Sequence, residues 1–223
     1  MLRRRTNNDL KFKRRRHALV DELHDKGIRD PHILMAIGTV PRHLFVDTAL
    51  QNRAYEDTAL PIPKRQTISQ PFTVARQTEL LQPQEGDKVL EVGTGSGYQA
   101  ALLCQMGVLV YSVERHQELY ERARELLQQL GYKPMLKCGD GTVGWSAYAP
   151  YDGIVVTAGA PVVPENLAHQ LAIGGRLIIP VGDSEKQLML RLTRVSEDEY
   201  EEERFSHFKF VPLIGKKGWE DKA

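Results

Sequence analysis

The chain has 223 residues and a formal net charge of +1, and its 41% hydrophobic and 26% charged residues exclude an intrinsically disordered protein. No apolar stretch approaches the ~18 residues of a membrane span, and no apolar region follows the arginines at 3–5, so we expect neither a membrane protein nor a secretory signal. The two cysteines, Cys104 and Cys138, lack the spacing of a disulfide scaffold or a zinc site and favour a cytoplasmic location.

The N-terminal segment is strongly basic, with eight Lys or Arg and one acid, Asp9, between Arg3 and Arg16. Such a run is typical of an arm that binds nucleic acid or a membrane surface, or of a solvated, partly frayed lead-in to a helix. Phe12 is the one aromatic residue among these charges, so the segment has no platform on which bases could stack. We therefore predict the solvated lead-in, and we expect no nucleic-acid partner and no membrane.

Residues 1–84 are predicted to be helical and rich in loops. Apolar residues at helical spacing predict helices over residues 17–26 and 31–37, which end at Gly27 and Gly38. Prolines at positions 61, 63 and 71 indicate an irregular stretch around Lys64–Gln70. A helical pattern resumes over residues 73–81.

Strands and helices alternate in the centre of the chain. Apolar runs predict strands over residues 88–92, 108–113, 135–138, 151–156 and 176–181, and amphipathic patterns predict helices over residues 98–106, 116–130 and 164–171. Because this alternation places helices on both faces of a parallel sheet, we predict an α/β fold with a doubly wound, Rossmann-like sheet and a helical N-terminal extension.

The C-terminal part is predicted to form two paired strands over residues 187–195 and 204–213. We expect the six acids of residues 197–203 at an exposed turn between them. Since no linker or repeat interrupts the chain, we predict a single domain, 1–223. Its parts are a helical N-terminal part with a substrate loop (1–84), a cofactor-binding core (85–183) and the C-terminal strands (184–223).

A glycine-rich loop at residues 93–97 separates the first core strand from its helix. Nucleotide-like ligands bind at the carboxyl ends of such strands, where Gly93, Gly95 and Gly97 allow positive φ and close approach to the backbone. About 20 residues on, Glu114 ends the next strand, where its carboxylate can accept hydrogen bonds from ribose hydroxyls. The alternative to a ligand-binding loop is a glycine-rich turn that only packs the helix on the strand. The position of Glu114, about 20 residues after the loop, disfavours this alternative.

The residues around the loop favour S-adenosylmethionine over a dinucleotide. The dinucleotide fingerprint requires glycine where Tyr98 stands. Glu91 would repel a pyrophosphate but suits the sulfonium and amino groups of S-adenosylmethionine. After the third core strand, Asp140 can accept from an adenine amine while the Gly141 N–H donates to the ring. We therefore predict that Glu91, Asp140 and Gly141 join the glycines in a cofactor site.

The segment after the fourth core strand, residues 157–161, consists of small residues and is nearly uncharged. It lacks the Asn/Asp-Pro-Pro-aromatic motif of many methyltransferases that act on amino groups, which argues against nitrogen as the methyl acceptor. The seven histidines show no metal-ligand spacing, so we expect no metal site.

Seven further motifs have to be considered together. They are VPRHLFV (40–46), QTISQP (66–71), VLEVGTGSGYQAA (89–101), GDGTVG (139–144), YDGIVVTAGAP (151–161), GGRLIIPVG (174–182) and FVPL (210–213). This set resembles the protein-L-isoaspartate O-methyltransferase family of class I methyltransferases over roughly residues 30 to 219. The glycine loop is generic to that class, whereas QTISQP and GDGT in combination are more specific.

The resemblance implies that the chain transfers a methyl group from S-adenosylmethionine to the α-carboxylate of L-isoaspartyl residues in damaged proteins and peptides, leaving S-adenosylhomocysteine. The ester then collapses to a succinimide, which reopens in part to normal aspartate. By motif, Ser69 matches the catalytic, substrate-binding serine. The cofactor positions implied by the match are Glu91, Gly93, Glu114, Asp140 and Gly141. The residues implied at the border of the peptide cleft are Phe210, Val211, Pro212 and Leu213.

The chemistry fits this implication, because an α-carboxylate with a pKa near ~3.5 is ionised at neutral pH and needs no general base. The task is to align the reacting atoms and exclude water. Ser69 is then expected to donate a hydrogen bond to the substrate carboxylate. On spacing alone, a turn or helix-cap serine before Pro71 is the alternative.

Three features depart from the family pattern. Arg65 stands where glycine is frequent, Gly159 stands where alanine is common, and the basic segment before residue 17 has no counterpart. Two other functions therefore stay open at this point: an RNA or small-molecule methyltransferase on the same fold, and a non-catalytic cofactor-binding module. We expect the protein to be a monomer.

Overall fold

The computed structural model describes residues 6–220. The strands span Leu60–Ile62 (β1), Gln66–Ile68 (β2), Lys88–Val92 (β3), Leu109–Glu114 (β4), Met135–Cys138 (β5), Tyr151–Val156 (β6), Leu171–Gly182 (β7), Gln187–Arg194 (β8) and Tyr200–Phe208 (β9). The α-helices span Thr6–Asp25 (α1), Pro31–Thr39 (α2), Pro71–Leu81 (α3), Tyr98–Gln105 (α4), Gln117–Gln129 (α5) and Glu165–Ala168 (α6).

The central sheet has seven strands in the order β5-β4-β3-β6-β7-β8-β9, and β1 pairs with β2 in a separate hairpin. Strands β5 to β7 run parallel, whereas β8 and β9 are antiparallel to their neighbours. The chain runs outward from β3 to β5 and then returns to β6 on the other side of β3. This reversal opens a crevice at the carboxyl ends of β3 and β6, where α/β folds bind their ligands. The predicted Rossmann-like α/β fold is confirmed.

Helix α1 begins at Thr6, so the prediction of a frayed lead-in is wrong for residues 6–16. Phe12 is buried and stacks on His43 with ring centroids 4.0 Å apart. Lys11 Nζ donates to Asn52 Oδ1 over 2.9 Å. The contacts with His43 and Asn52 stabilise a helix in a segment whose like charges would by themselves disfavour helix formation. Arg3–Arg5 lie outside the described residues.

The proline-rich stretch that was predicted to be irregular contains the β1–β2 hairpin. Leu60 pairs with Ile68, and both side chains are buried. Lys64 and Arg65, at the turn, adopt left-handed φ values of 59° and 55°. Because β2 ends at Ile68, the hairpin delivers Ser69 to the edge of the crevice.

Helix α6 is shorter than predicted, and β7 begins at Leu171, five residues before the predicted start. The pairing of β6 with β7 shifts register between Tyr151 and Gly153. At this irregularity a Cβ on Gly175 would lie 2.9 Å from the carbonyl oxygens of Ala172 and Tyr151. Glycine therefore lets the strand continue through a segment whose sequence looks like a turn.

Strand β9 spans Tyr200–Phe208 rather than residues 204–213, so the acids at 201–203 lie in a strand and not in a turn. Within the described residues β9 pairs with β8 alone, which makes it an edge strand. Its carboxylates stay exposed at little cost, and Arg191 donates to both oxygens of Glu203 over 2.6 and 2.8 Å. Charged edge strands also resist pairing with other chains.

The N-terminal helices share one hydrophobic cluster with the sheet and its covering helices, since Leu19, Ile37, Leu103, Ile178 and Met189 all belong to it. This continuity agrees with a single domain, although the predicted boundaries at 84 and 183 stay a prediction. Over residues 6–220, no helix combines the length and the apolar character that crossing a bilayer requires.

Candidate functional site

A cavity with about 870 Å³ of empty space, part of it open to solvent, lies at the carboxyl ends of β3, β4 and β6. Its walls come from β2, the glycine loop, the residues that follow β4 and β6, and a C-terminal segment. It brings together these sequence-predicted residues: Ser69, Glu91, Gly93, Gly95, Glu114, Gly141, Val211, Pro212 and Leu213. The carboxyl ends of parallel strands are where α/β folds bind their cofactors.

Three predicted residues do not line this cavity: Gly97, Asp140 and Phe210. Gly97 is the N-cap of α4 with a φ of 86°, and a Cβ there would lie 3.1 Å from Leu127 Cδ1. Gly97 therefore allows α4 to pack closely against α5. A direct contact of Gly97 with the cofactor stays a prediction.

The glycine loop presents bare backbone to the cavity. Gly93 has a φ of 98°, and a Cβ there would lie 2.4 Å from Thr157 Oγ1. The Thr157 hydroxyl donates to the Gly93 carbonyl over 2.6 Å. Gly95 has a φ of 54° and its N–H donates to Glu114 Oε2 over 2.8 Å. A side chain at position 93 would both clash and strain the loop.

Glu114 is held at the end of β4 by two backbone donors. Besides the Gly95 N–H on Oε2, the His116 N–H donates to Oε1 over 2.9 Å. A carboxylate offers about four acceptor sites. Glu114 therefore keeps acceptor capacity for a ligand's hydroxyl groups in a fixed orientation.

Glu91 lies on β3 with an exposed fraction of 0%. The Ser112 hydroxyl donates to Oε2, whereas Oε1 has no partner among the described residues. Burial raises the pKa of Glu91 to about 8, and the nearby charge of Glu114 raises it too, against the lowering effect of the Ser112 hydrogen bond. In the free protein this carboxyl group is therefore mostly protonated at neutral pH.

Asp140 anchors the C-terminal segment. Its Oδ1 accepts from the N–H and the hydroxyl of Thr142 over 2.9 and 2.6 Å, and its Oδ2 accepts from the Lys216 N–H over 2.8 Å. Burial acts to raise the pKa of Asp140, but these hydrogen bonds outweigh it and the pKa is lowered. The neighbouring Gly141 lines the cavity. A contact of Asp140 with an adenine amine stays a prediction.

Buried polar groups hold the loop that carries Ser69. The Arg42 side chain has an exposed fraction of 0%, and its Nη2 donates to the Ser69 carbonyl over 2.8 Å while Nε donates to the Ala54 carbonyl over 2.9 Å. Asp57 accepts from the Phe72 N–H over 2.8 Å and from Gln70 Nε2 over 3.0 Å. These bonds fix the chain at Ser69 and after it, and the pairing of Ile68 with Leu60 fixes the backbone before it.

The Ser69 hydroxyl forms no hydrogen bond with any group in residues 6–220. Helix α3 starts at Pro71 with Gln70 as its N-cap and without a side-chain capping bond. The alternative of a helix-cap serine is therefore wrong. The hydroxyl is half-buried and available to a ligand.

An open groove, the outer cleft, adjoins the cavity. Its lining includes Thr58, Gln70, Phe72, Lys186, His207, Phe208, Lys209 and Phe210. Thr67, Ser69, Thr157 and Val211 line both the cavity and the outer cleft. Ser69 therefore lies where a ligand in the cavity and an extended ligand in the cleft would meet.

The C-terminal residues that line the site are fixed by Gly159. The Gly159 N–H donates to the Val211 carbonyl and the Leu213 N–H donates to the Gly159 carbonyl, each over 2.8 Å. Gln187 Oε1 accepts from the Phe210 N–H over 2.8 Å. A Cβ on Gly159 would lie 2.9 Å from Gln187 Cδ, so the departure at position 159 makes room for this glutamine.

Sequence reasoning missed Arg42, Thr157, Gln77 and Gln99. The VPRHLFV motif contains Arg42, but a fully buried arginine is rare and the motif alone does not reveal its partners. Gln77 and Gln99 sit on helices and are polar, which suggests exposed positions, yet both are buried and line the cavity. Their burial depends on which helix faces meet the sheet. Within residues 6–220, no cluster of His, Cys, Asp or Glu is arranged to hold a metal ion.

Comparisons with known proteins agree on one family. A family model described as protein-L-isoaspartate(D-aspartate) O-methyltransferase matches residues 14–218. Proteins named protein-L-isoaspartate O-methyltransferase from Salinibacter ruber and Cytophaga hutchinsonii are 55% and 53% identical, over 93% of this chain and 95% and 94% of theirs. A solved structure with that name is 31% identical, with a TM-score of 0.83 over 91% of this chain and 67% of the other. A Plasmodium falciparum structure in complex with S-adenosyl-L-homocysteine shares the fold, with a TM-score of 0.77 at 24% identity over 89% of this chain and 98% of the other.

Proposed function

The chain belongs to the protein-L-isoaspartate(D-aspartate) O-methyltransferase family, and we propose how its own residues carry out that family's reaction. The protein is a methyltransferase that uses S-adenosylmethionine and acts on isoaspartyl residues of proteins. One observation carries the assignment of roles: Ser69, with its unengaged hydroxyl, lines both the cavity and the outer cleft.

The residues of the cavity fit S-adenosylmethionine. The bare backbone at Gly93 and Gly95 allows close approach, and Glu114 has acceptor sites left for ribose hydroxyls. The unpartnered oxygen of Glu91 suits a cationic group, and Gly141 offers backbone near the cavity wall. When bound, this cofactor supplies an electrophilic methyl group, which is activated by the positively charged sulfonium sulfur to which it is bonded.

The substrate's α-carboxylate is the nucleophile and is ionised before it reaches the site. Ser69 donates a hydrogen bond to one carboxylate oxygen and orients the other toward the cavity. The Arg42 guanidinium fixes the Ser69 backbone, and its buried positive charge favours an anion nearby. The chain thus contributes orientation and exclusion of water rather than a general base.

The outer cleft receives the peptide that carries the isoaspartyl residue. Val211, Pro212 and Leu213 line the cavity, and Phe210 and Val211 line the cleft, which supports a position of this segment beside the reacting carboxylate. The methyl ester that forms is an activated carboxyl group, and its collapse to a succinimide needs no further residue of this protein.

We further propose that the protein acts as a monomeric, single-domain enzyme in the cytoplasm. Cavity and cleft are assembled from one chain, and the two cysteines are free thiols, which suits a reducing compartment. Lys11 and Arg15 of α1 are hydrogen-bonded to Asn52. This engagement supports a structural role for the basic helix over one in binding RNA.

Replacing Ser69 tests the proposed mechanism. Ser69→Ala removes the donor to the substrate carboxylate, so turnover of an isoaspartyl peptide should fall by about 10²-fold. Because Ser69 does not hold the cofactor in this scheme, the dissociation constant of S-adenosylhomocysteine should change less than twofold. Ser206→Ala, at an exposed position on β9, is the matched control and should turn over normally. Full turnover by Ser69→Ala would remove the serine from the mechanism.

A further inference from the structure

One buried side chain, that of Gln187, is hydrogen-bonded to two separate segments that form one wall of the outer cleft. Gln187 is the first residue of β8 and has an exposed fraction of 2%. Its Oε1 accepts from the Phe210 N–H over 2.8 Å, and its Nε2 donates to the Asp183 carbonyl. The amide oxygen therefore holds one segment and the amide nitrogen holds the other.

Both segments lie outside the hydrogen-bond ladder of the sheet. One is the turn between β7 and β8, which contributes Glu185 and Lys186 to the cleft, and the other follows β9 and contributes Lys209 and Phe210. Because backbone groups outside a ladder lack a strand partner, they depend on other donors and acceptors. The ion pair of Lys209 with Glu185, at 3.1 Å, joins the same segments, but both side chains are exposed and such pairs contribute little. The buried amide of Gln187 is the stronger link.

The turn between β7 and β8 is held as a unit by Asp183. Its Oδ1 accepts from the N–H groups of Glu185 and Lys186, each over 2.8 Å. The bond from Gln187 to the Asp183 carbonyl therefore orients the whole turn, including the two residues that line the cleft.

The cavity side of the C-terminal segment has a different support. Gly159 is bonded through its backbone to Val211 and Leu213, each over 2.8 Å, and Trp219 Nε1 donates to the Gly159 carbonyl over 3.0 Å. None of these bonds involves Gln187. Loss of the Gln187 amide should therefore loosen the wall of the outer cleft and leave the cavity intact.

We propose that Gln187 is a positioning residue for the substrate peptide, because it fixes the cleft wall that receives the residues flanking isoaspartate. The inference rests on the proposed function and adds to it a side chain that lines neither the cavity nor the outer cleft. A wall that is ordered before the peptide arrives loses less conformational entropy on binding. Since Ser69 holds the reacting carboxylate in the proposed function, this gain concerns the flanking residues and is absent for a substrate that has none.

Two substrates with the same carboxylate test this role. One is an isoaspartyl hexapeptide, and the other is N-acetyl-L-isoaspartyl methylamide, which has no flanking residues. Gln187→Met keeps the length of the side chain and removes both hydrogen bonds. We expect its kcat/KM to fall about tenfold with the hexapeptide and to change less than twofold with the methylamide. The dissociation constant of S-adenosylhomocysteine should also change less than twofold.

Gln128→Met, at an exposed position on α5, is the matched control and should leave all three values unchanged. A purely structural role of Gln187 would lower kcat/KM in parallel for the two substrates, so the ratio of the two values separates positioning from general destabilisation.

Hydrogen exchange of the parent protein tests the same wall without a variant. With S-adenosylhomocysteine bound, a saturating concentration of the hexapeptide should slow exchange of the backbone amides in residues 183–187 and 207–211. The methylamide should not slow them. Unchanged exchange in both segments with the hexapeptide would overturn the inference. This measurement decides the matter if Gln187→Met does not fold or if turnover of the methylamide is too slow to measure.

The outcomes separate this inference from the proposed function. If the parent protein methylates neither substrate, the proposed function fails and the inference fails with it. If the parent protein methylates the hexapeptide, but Gln187→Met keeps the ratio of the two kcat/KM values, the inference is overturned and the proposed function stands.

Discussion

Ser69 owes its position to side chains that are distant in sequence. Arg42 donates to its carbonyl from 27 residues away, and Asp57 accepts hydrogen bonds from Gln70 and Phe72. A buried guanidinium with defined carbonyl partners is expensive to desolvate, and burial lowers the pKa of Arg42. Such a cost is tolerated where it fixes one backbone conformation. We infer that Arg42 is a positioning residue for Ser69.

Arg42→Lys should test this positioning role. Lysine keeps the charge but cannot reach two carbonyls with a planar fork, so the loop at Ser69 should lose its fixed orientation. We expect the kcat with an isoaspartyl peptide to fall about tenfold or more, with the affinity for S-adenosylhomocysteine changed less than twofold. Arg53→Lys, at an exposed ion pair with Glu56, is the matched control. A variant that loses kcat and cofactor affinity in parallel would indicate a general structural role instead.

That Gly93 and Glu114 meet in one cavity could be predicted from sequence, because each follows or ends a single strand. Gly93 and Glu114 are placed by local order alone: a strand ends, and the next residues lie at the edge of the sheet. Arg42, Gln77 and Gln99 could not be predicted, because their roles depend on which helix faces meet. Residues 1–5, part of the basic segment, lie outside the described structure.

The β1–β2 hairpin is the element whose local conformation explains a departure from the family pattern. Arg65 occupies a left-handed conformation with a φ of 55°, a region that costs a non-glycine residue roughly 1–2 kcal/mol. The glycine frequent at this position in the family would adopt that φ without strain. The sequence identified the unusual residue but could not identify its conformation, since the flanking prolines masked the hairpin.

Arg65→Gly should therefore stabilise the protein. The relief of strain exceeds the entropy that glycine adds to the unfolded chain, which leaves a gain of roughly 0.5–1 kcal/mol. For a chain of this size we expect the midpoint of thermal unfolding to rise by about 1–4 °C. Arg65→Ala removes the same side chain beyond Cβ without relieving the backbone, and its midpoint should not rise. Equal midpoints for the two variants would contradict a strained turn.

The core strands and the edge strand show where the prediction of elements succeeds and where it does not. Strands β3, β5 and β6 match their predicted ranges, because buried parallel strands have nearly continuous apolar runs. The sequence pattern predicts β9 too late in the chain. The acids at 201–203 favour a turn when only the local sequence is considered, but an exposed edge strand tolerates them. Its true limits are set by pairing with β8, a contact that the local pattern does not encode.

At the scale of the whole molecule, the opposite charge runs that cancel in the net charge of +1 lie on different elements. The basic run continues into α1, where Lys11 and Arg15 are hydrogen-bonded to Asn52. The acidic run protects the outer edge of the sheet. Neither run contributes a residue to the lining of the cavity or of the outer cleft.

The cavity and the outer cleft are also built from different parts of the chain. Residues 91–99, 113–116, 141 and 157–158 supply most of the lining of the cavity, whereas residues of the hairpin and of the C-terminal segment line both the cavity and the outer cleft. The position of the C-terminal segment depends on contacts such as the one between Gly159 and Val211, which no local pattern predicts. We propose that this assembly selects an isoaspartyl carboxylate.

Two peptides of identical sequence, one with isoaspartate and one with aspartate at a single position, test that claim most directly. The protein is incubated with each peptide and S-adenosylmethionine carrying a labelled methyl group, and base-labile label on the peptide is counted. The isoaspartyl peptide should be labelled and should convert in part to the aspartyl form, while the aspartyl peptide should stay unlabelled. Equal labelling of the two peptides, or no labelling of either, would contradict the account.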